Sequence, residues 1–425
     1  MRVLIPIHSG HGHVQQMIPL AQAFVGVGHE VLIVCEQRMG DFVAAAGLPV
    51  EPVYENSRHP MTTEELARIS KVNLERLMVL APRWKPDVVI REWAEMAGLV
   101  VAVELGIPCV VCGRKFRPAA GQAGSHPCLG MMEKGIEYLL SGKAGPDGFT
   151  LDMSRVAARH ARLARRADGT TTATMDLTSL FGDLFVSFYP PGMAFPGANP
   201  LPGEQFVRPP IHDDMPGLDT PAWLAELTDR PIVFTTLGTT INHVGGVFER
   251  IIEAAEPLDV HLVATVGPDR DPEGLGPLPA NVHVARYIPS SQIMPRAAAA
   301  IVHGGFSTTM TALTYGVPLL CLPVYGDQPV NAQRYLELGV ALSYTDGAAE
   351  GVGVTAPEVD AARLGGLLER LLGDQSFRTA ARNIARDIAA LPPIDVIVPL
   401  VEDLVAAGDE GLTVSTHHHE EGKTA

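Results

Sequence analysis

Short apolar runs alternating with helical patterns fill both halves of this chain, and that alternation restricts the fold more than any other feature. "RVLIPI" is followed by a helix in "VQQMIPLAQAFVGVG", then by strand "EVLIVC", helix "MGDFVAAAG" and short strand "PVEPVY". Further on come "PDVVIRE", a helix in "AEMAGLVVAVELG" and the strand "PCVVCG". Gly28, Gly47 and Gly106 each stand where a helix should close before the next strand, because glycine enters the left-handed C-cap conformation without penalty. Strands that alternate with helices build a parallel, doubly wound α/β sheet. Residues 55–80 and 114–185 break the rhythm and read as helical or loop insertions, the second Arg-rich around Arg155–Arg166.

At 425 residues the chain is too long for one ordinary core, and two domains are expected. The composition shifts at "YPPGMAFPGANPLPGEQFVRPP", where so much proline and glycine reads as an interdomain linker. After it the alternation restarts with "PIVFTTLG", "GGVFERIIEAAEP", "VHLVATVG", "VHVARYIP", "SQIMPRA", "AAAIVH", "STTMTALTYG", "PLLCLP" and "DQPVNAQRYLELG". The expected layout is one Rossmann-like domain over 1–190, a linker over 191–222 and a second such domain over 223–374. Helices over 375–408 could cross back to the first domain, and a disordered tail over 409–425 would hold His417–His419. Doubly wound sheets bind ligands at the carboxyl ends of their strands, so two of them facing one another would leave a cleft for two substrates.

The net charge of −16 argues against a nucleic-acid or anionic-membrane partner, since a phosphate backbone demands a basic footprint. The amino-terminal "MRVLIPI" lacks the apolar run and cleavage site of a signal peptide, and no apolar stretch long enough to span a membrane is present. Five cysteines do not make a disulfide framework. Cys109 and Cys112 have CxxC spacing but lie in a strand, where positions three apart face opposite sides, so they read as two core thiols. The compartment expected is the cytoplasm.

The most specific stretch is "IVHGGFSTTMTALTYGVPLLCLPVYGDQPVNAQRYLELGVAL". A buried strand over 297–302 delivers His303, Gly304 and Gly305 to a turn, and a helix starts around Phe306–Ser307. Unpaired N–H groups and the positive end of the helix dipole make such a start an anion site. The glycines let phosphate oxygens approach the backbone. Ser307 and Thr308 can add hydroxyl donors, and His303 another donor, with a positive charge if protonated. Gly316 and Pro318 end the helix.

This stretch resembles, over its full length, the donor-binding signature of family 1 glycosyltransferases. These are GT-B enzymes that use nucleotide-activated sugars, and the antibiotic-tailoring members are nearest in style. The resemblance implies two Rossmann-like domains, with acceptor bound by the first and donor by the second. It implies that His303 touches the diphosphate, that the Gly305–Thr308 turn holds its oxygens, and that Asp327 and Gln328 hydrogen-bond the sugar hydroxyls. "FTTLGTT" is similar to the loop that contacts donor phosphate, at Gly238 and Thr239. "RYIPSSQ" is similar to the segment that reads the base, near Ile288. Plant members carry Glu eight positions after the histidine, gripping both ribose hydroxyls of UDP. Here Thr311 stands there, which favours a dTDP-deoxysugar over UDP-glucose.

The opening loop "HSGHGHVQQ" places His8, His11 and His13 within six residues. Zinc would need HExxH or a distant Cys/His pair, and neither is present. A dinucleotide fingerprint would need glycine where Gln15 stands. "GHVQQMIPLA" resembles the segment that carries the family's catalytic base. This implies His13 as base, with Gly12 among the donor contacts and His8 and His11 lining the loop. The family pairs the base with a carboxylate at a later strand end. "PDVVIREWAEMAG" offers Glu92 there and Glu95 as the alternative.

The expected reaction is inverting transfer of a sugar to a hydrophobic aglycone, without metal or resident cofactor, the nucleotide-sugar being a substrate. "HDDM" at 212–215 lies in the linker, and no DxD-type motif is evident. Acceptor contacts are sought in the insertion, at Phe116, Met131, Met132, Phe149 and Met153. A homodimer is compatible with this reading. The rival is a nucleotide-sugar epimerase of the same fold, which would need no acceptor pocket.

Overall fold

The computed structural model describes residues 1–8, 10–55, 63–113, 182–198, 203–215, 217–238, 246–267, 270–324, 326–345 and 358–411. Two parallel sheets organise the chain. The first has seven strands in the order β3-β2-β1-β4-β5-β6-β7: β1 (Arg2–Pro6), β2 (Glu30–Glu36), β3 (Val50–Tyr54), β4 (Val88–Glu92), β5 (Cys109–Gly113), β6 (Leu184–Ser187) and β7 (Gln205–Phe206). The second has six in the order β10-β9-β8-β11-β12-β13: β8 (Ile232–Thr236), β9 (His261–Thr265), β10 (Val282–Ala285), β11 (Ala297–Val302), β12 (Leu319–Cys321) and β13 (Ala341–Ser343). Both are the doubly wound α/β arrangement that the strand–helix alternation predicts.

In each sheet the winding reverses beside the first strand, between β1 and β4 and between β8 and β11. Such a reversal opens a crevice at the carboxyl ends, because the flanking loops diverge to opposite faces. The residues that follow β1, β8 and β11, and the last residue of β4, therefore line the two switch points.

Helix α1 (His11–Gly26) follows β1, and α2 (Gln37–Ala45) follows β2. Residues 55–80, read from sequence as an insertion, fall in the ordinary β3-to-β4 crossover, most of it helix α3 (Thr63–Trp84). Helix α4 (Ala97–Leu105) joins β4 to β5. The second domain carries α5 (Val247–Ala255), the short α6 (Ser290–Ile293), α7 (Phe306–Thr314) and α8 (Gln328–Glu337).

The proline-rich segment also does more than connect. It contributes β7 to the first sheet, and Met193 and Val207 are fully buried. Asp213 receives the Ser291 backbone N–H and hydroxyl at 2.8 and 2.7 Å.

At the carboxyl end stand α9 (Ala361–Gly373), α10 (Gln375–Ala390) and α11 (Ile397–Gly411). Ile397, Val398 and Val401 share one buried cluster with Ile18, Ala21 and Phe24 of α1, so α11 packs on the first domain. Glu402 lies 2.9 Å from His29 at the edge of that contact. The same cluster takes in Phe306, Met310 and Ile388, so apolar packing runs unbroken from one domain to the other. Burial of this kind contributes about 25 cal/mol per Å² of apolar surface. Among the described residues no helix is long and apolar enough to cross a membrane.

Candidate functional site

The first half of the site grows from β1 and β4. His8 leaves β1, and Gly10 has φ 101° and ψ 147°, a backbone that only glycine adopts readily. From there the Gly10 carbonyl accepts the His13 and Val14 amides at 3.0 and 3.3 Å. This fixes His13 on the first turn of α1. Its Nδ1 stands 3.0 Å from Oε2 of Glu92, the last residue of β4. The same oxygen accepts the Ala94 amide at 3.1 Å.

Glu92 is almost wholly buried while the His13 side chain keeps a fifth of its surface exposed, so the imidazole is the member of the pair that a substrate can reach. A carboxylate beside Nδ1 favours the tautomer protonated there and leaves Nε2 as the proton acceptor.

Glu95, the alternative partner, faces elsewhere. It accepts the Tyr54 hydroxyl at 3.0 Å and the Ala97 and Gly98 amides at 2.9 and 2.8 Å, capping α4. Burial pushes its carboxyl above the usual range, against the opposing effect of those hydrogen bonds and of Arg91. Arg91 is fully buried and donates to the Trp93 carbonyl at 3.2 Å and to that of Glu95, which shapes the turn after Glu92. Arg91 and Tyr54 carry no sequence signal of their own, since nothing local marks them as supports.

The rings of His8 and His13 meet edge to face at 5.6 Å, and His11 meets Phe42 at 5.4 Å. His212, in the interdomain segment, meets the same Phe42 at 5.8 Å. Cys109 and Cys112 are buried, one in each of two separate core clusters. Burial raises the Cys112 thiol far above its ordinary value, which suits a packing role.

The second half of the site lies after β8 and β11. Gly304 has φ 85°, and a Cβ there would stand 3.0 Å from the Gln328 carbonyl oxygen. Gly305 is the N-cap of α7, and the His303 ring packs between Gly305 and Gly238. Burial pushes His303 down to about 4, against the raising effects of Asp327 and of a hydrogen bond to the Thr236 backbone. The positive charge that the sequence allowed this residue is therefore absent near neutral pH, because its surroundings desolvate it. A neutral imidazole remains a hydrogen-bonding group.

Asn331, buried on α8, donates to the Gly304 carbonyl and to Asp327 Oδ2, both at 3.2 Å. Gln328 Oε1 accepts the Val324 amide at 2.8 Å. These bonds bring the start of α8, with Asp327 and Gln328, against the turn at 303–305. Asn331 has no role in the sequence reading, although it stands within the quoted "NA". Thr308 is half-buried and its hydroxyl has no partner among the described residues. Ile288 is buried in the loop after β10.

Ser307, expected to offer its hydroxyl to phosphate, donates it at 3.0 Å to the Gly12 carbonyl of the first domain. The two switch-point sites thus meet, with His13 one residue from the contact. Thr239 and all five acceptor candidates, Phe116, Met131, Met132, Phe149 and Met153, lie outside the described residues.

Two doubly wound domains that join their switch points in this way define the GT-B class of nucleotide-sugar glycosyltransferases. Residues 249–404 match the family described as "Erythromycin biosynthesis protein CIII-like, C-terminal domain". Over nearly its whole length the chain resembles natural-product glycosyltransferases of GT-B fold.

L-demethylnoviosyl transferase of Streptomyces niveus is 28% identical over 427 residues, covering 93% of this chain and 96% of its own length. The structure of spinosyn forosaminyltransferase SpnP superposes with a TM-score of 0.69 at 27% identity, covering 96% of this chain and 99% of that one. That of glycosyltransferase VinC in complex with dTDP gives 0.67 at 25% identity, covering 97% and 100%.

Proposed function

We propose that this chain moves a deoxysugar from a dTDP-linked donor, in preference to a UDP-linked one, onto a hydrophobic natural-product aglycone with inversion. His13 is the base, Glu92 holds its tautomer, and no metal takes part. The observation that carries this reading is the contact of the two half-sites at Gly12 and Ser307. That contact sets the imidazole–carboxylate pair beside the start of α7, where unpaired backbone amides favour an anion.

The acceptor hydroxyl gives its proton to His13 Nε2 as its oxygen attacks the anomeric carbon. The bond from that carbon to the diphosphate breaks on the opposite face. Charge developing on the leaving diphosphate is met by the amides at the start of α7, the Thr308 hydroxyl and neutral His303. Asp327 and Gln328 bind the sugar hydroxyls, and Gly238, Thr239 and Ile288 complete the nucleotide site.

Thr311 supports the choice of donor. Its hydroxyl is turned back on the helix to the Ser307 carbonyl at 3.0 Å, so it offers no bidentate grip to a ribose. The dTDP held by VinC supports the same choice. The epimerase alternative draws nothing from these relatives, each named a transferase or glycosyltransferase.

His13→Ala should abolish transfer in a screen of dTDP-deoxysugars against apolar aglycones while leaving dTDP affinity within about twofold, since the base touches no phosphate. Retained turnover would refute the assignment. Conversion of a dTDP-sugar without any acceptor would favour the epimerase.

A further inference from the structure

We propose that Ser307 forms a latch between the domains that sets the His13 turn against the donor site. Ser307 is then a positioning residue rather than a phosphate ligand. The inference rests on the donor reading above.

The first turn of α1 is tied to the second domain next to His13. The Gly12 carbonyl accepts the Ser307 hydroxyl at 3.0 Å. On the donor side this anchor adjoins Thr308, at the phosphate end of the proposed nucleotide site. A serine hydroxyl has one proton. While Ser307 spends it on Gly12, the hydroxyl has no proton to donate to an incoming diphosphate.

Both sides of the latch are stiff, so the contact transmits position. Phe306 is buried with its ring 6.2 Å from that of Tyr189. The Thr309 hydroxyl meets the Gly305 carbonyl at 2.8 Å and the Tyr335 hydroxyl at 2.6 Å. On the other side Met17, Ile18 and Phe24 bury the core face of α1. His13 therefore takes its place from the second domain as well as from Glu92.

The test uses full-length protein carrying ¹³C-labelled histidine, with the His13 signal assigned by its loss in His13→Ala. In the unliganded protein Ser307→Ala should move or broaden the His13 signal. Ser307→Thr, which keeps the hydroxyl, should restore it. Calorimetry should find dTDP binding to Ser307→Ala within about twofold of the parent protein.

A His13 signal unmoved in Ser307→Ala overturns the latch. So does a loss of dTDP affinity of about tenfold or more in Ser307→Ala, the effect of deleting a hydrogen bond to a charged ligand. If the parent protein binds no dTDP, the donor reading fails, and the unliganded signals alone decide the latch.

Discussion

Replacing Gly305 with alanine should disable the anion turn through a single contact. Gly305 has φ −66°, an ordinary backbone, so alanine brings no strain of its own. Its Cβ would stand 2.3 Å from His303 Nε2 and 3.0 Å from the neighbouring ring carbons. Non-bonded heavy atoms rest about 3.5 Å apart, so ring or turn must retreat by roughly 1 Å. The ring has little room to do so, because Gly238 closes its other side, where a Cβ would already stand 3.1 Å away.

Forced repacking of this kind costs about 1–3 kcal/mol. The thermal transition should fall by about 2–12 °C in scanning calorimetry. Because the displaced groups are those that would hold the diphosphate, dTDP affinity should fall by about tenfold or more, the worth of one misplaced charge-assisted hydrogen bond. Gly366→Ala is the control. It is exposed on α9 with no atom within 4 Å of the added Cβ, and should be neutral or stabilising by up to about 1 kcal/mol. A Gly305→Ala protein with unchanged melting and unchanged dTDP binding would refute the packing argument.

His303 makes stability depend on pH with a definite sign. Its folded value of about 4 lies below the usual 6.5, so between them the unfolded chain takes up a proton that the folded one refuses. Stability is fully present above 6.5 and is lost as pH falls towards 4; His303→Gln should flatten that slope in denaturant titrations, and parallel slopes would count against it. Arg334 is buried on α8 and donates to the Met193 and Gly192 carbonyls of the interdomain segment, both at 3.0 Å. Arg334→Met strands those carbonyls at a cost of about 1–3 kcal/mol and should split the calorimetric endotherm of the two domains. An unchanged endotherm would show that the clamp does not couple them.

Local rules govern what is legible in the amino-acid sequence. Strand–helix alternation depends on near neighbours, so both parallel sheets can be read there. The glycine turn and helix start at 303–308 are legible for the same reason, since that geometry is built from consecutive residues. Contributions from distant segments are not. Nothing local separates Glu92 from Glu95. Packing alone turns one towards His13, 79 positions away, and the other into the start of its own helix.

The proline-rich segment reads as a bare connector, because a two-residue edge strand and a buried methionine leave little trace in a composition count. His303 loses its charge to burial by β8, β11 and the loops around them, and Ser307 finds its acceptor 295 positions away in Gly12. Backbone conformation is specified residue by residue, whereas the partner of a side chain, and with it charge and chemistry, exists only once both sheets have closed on one core.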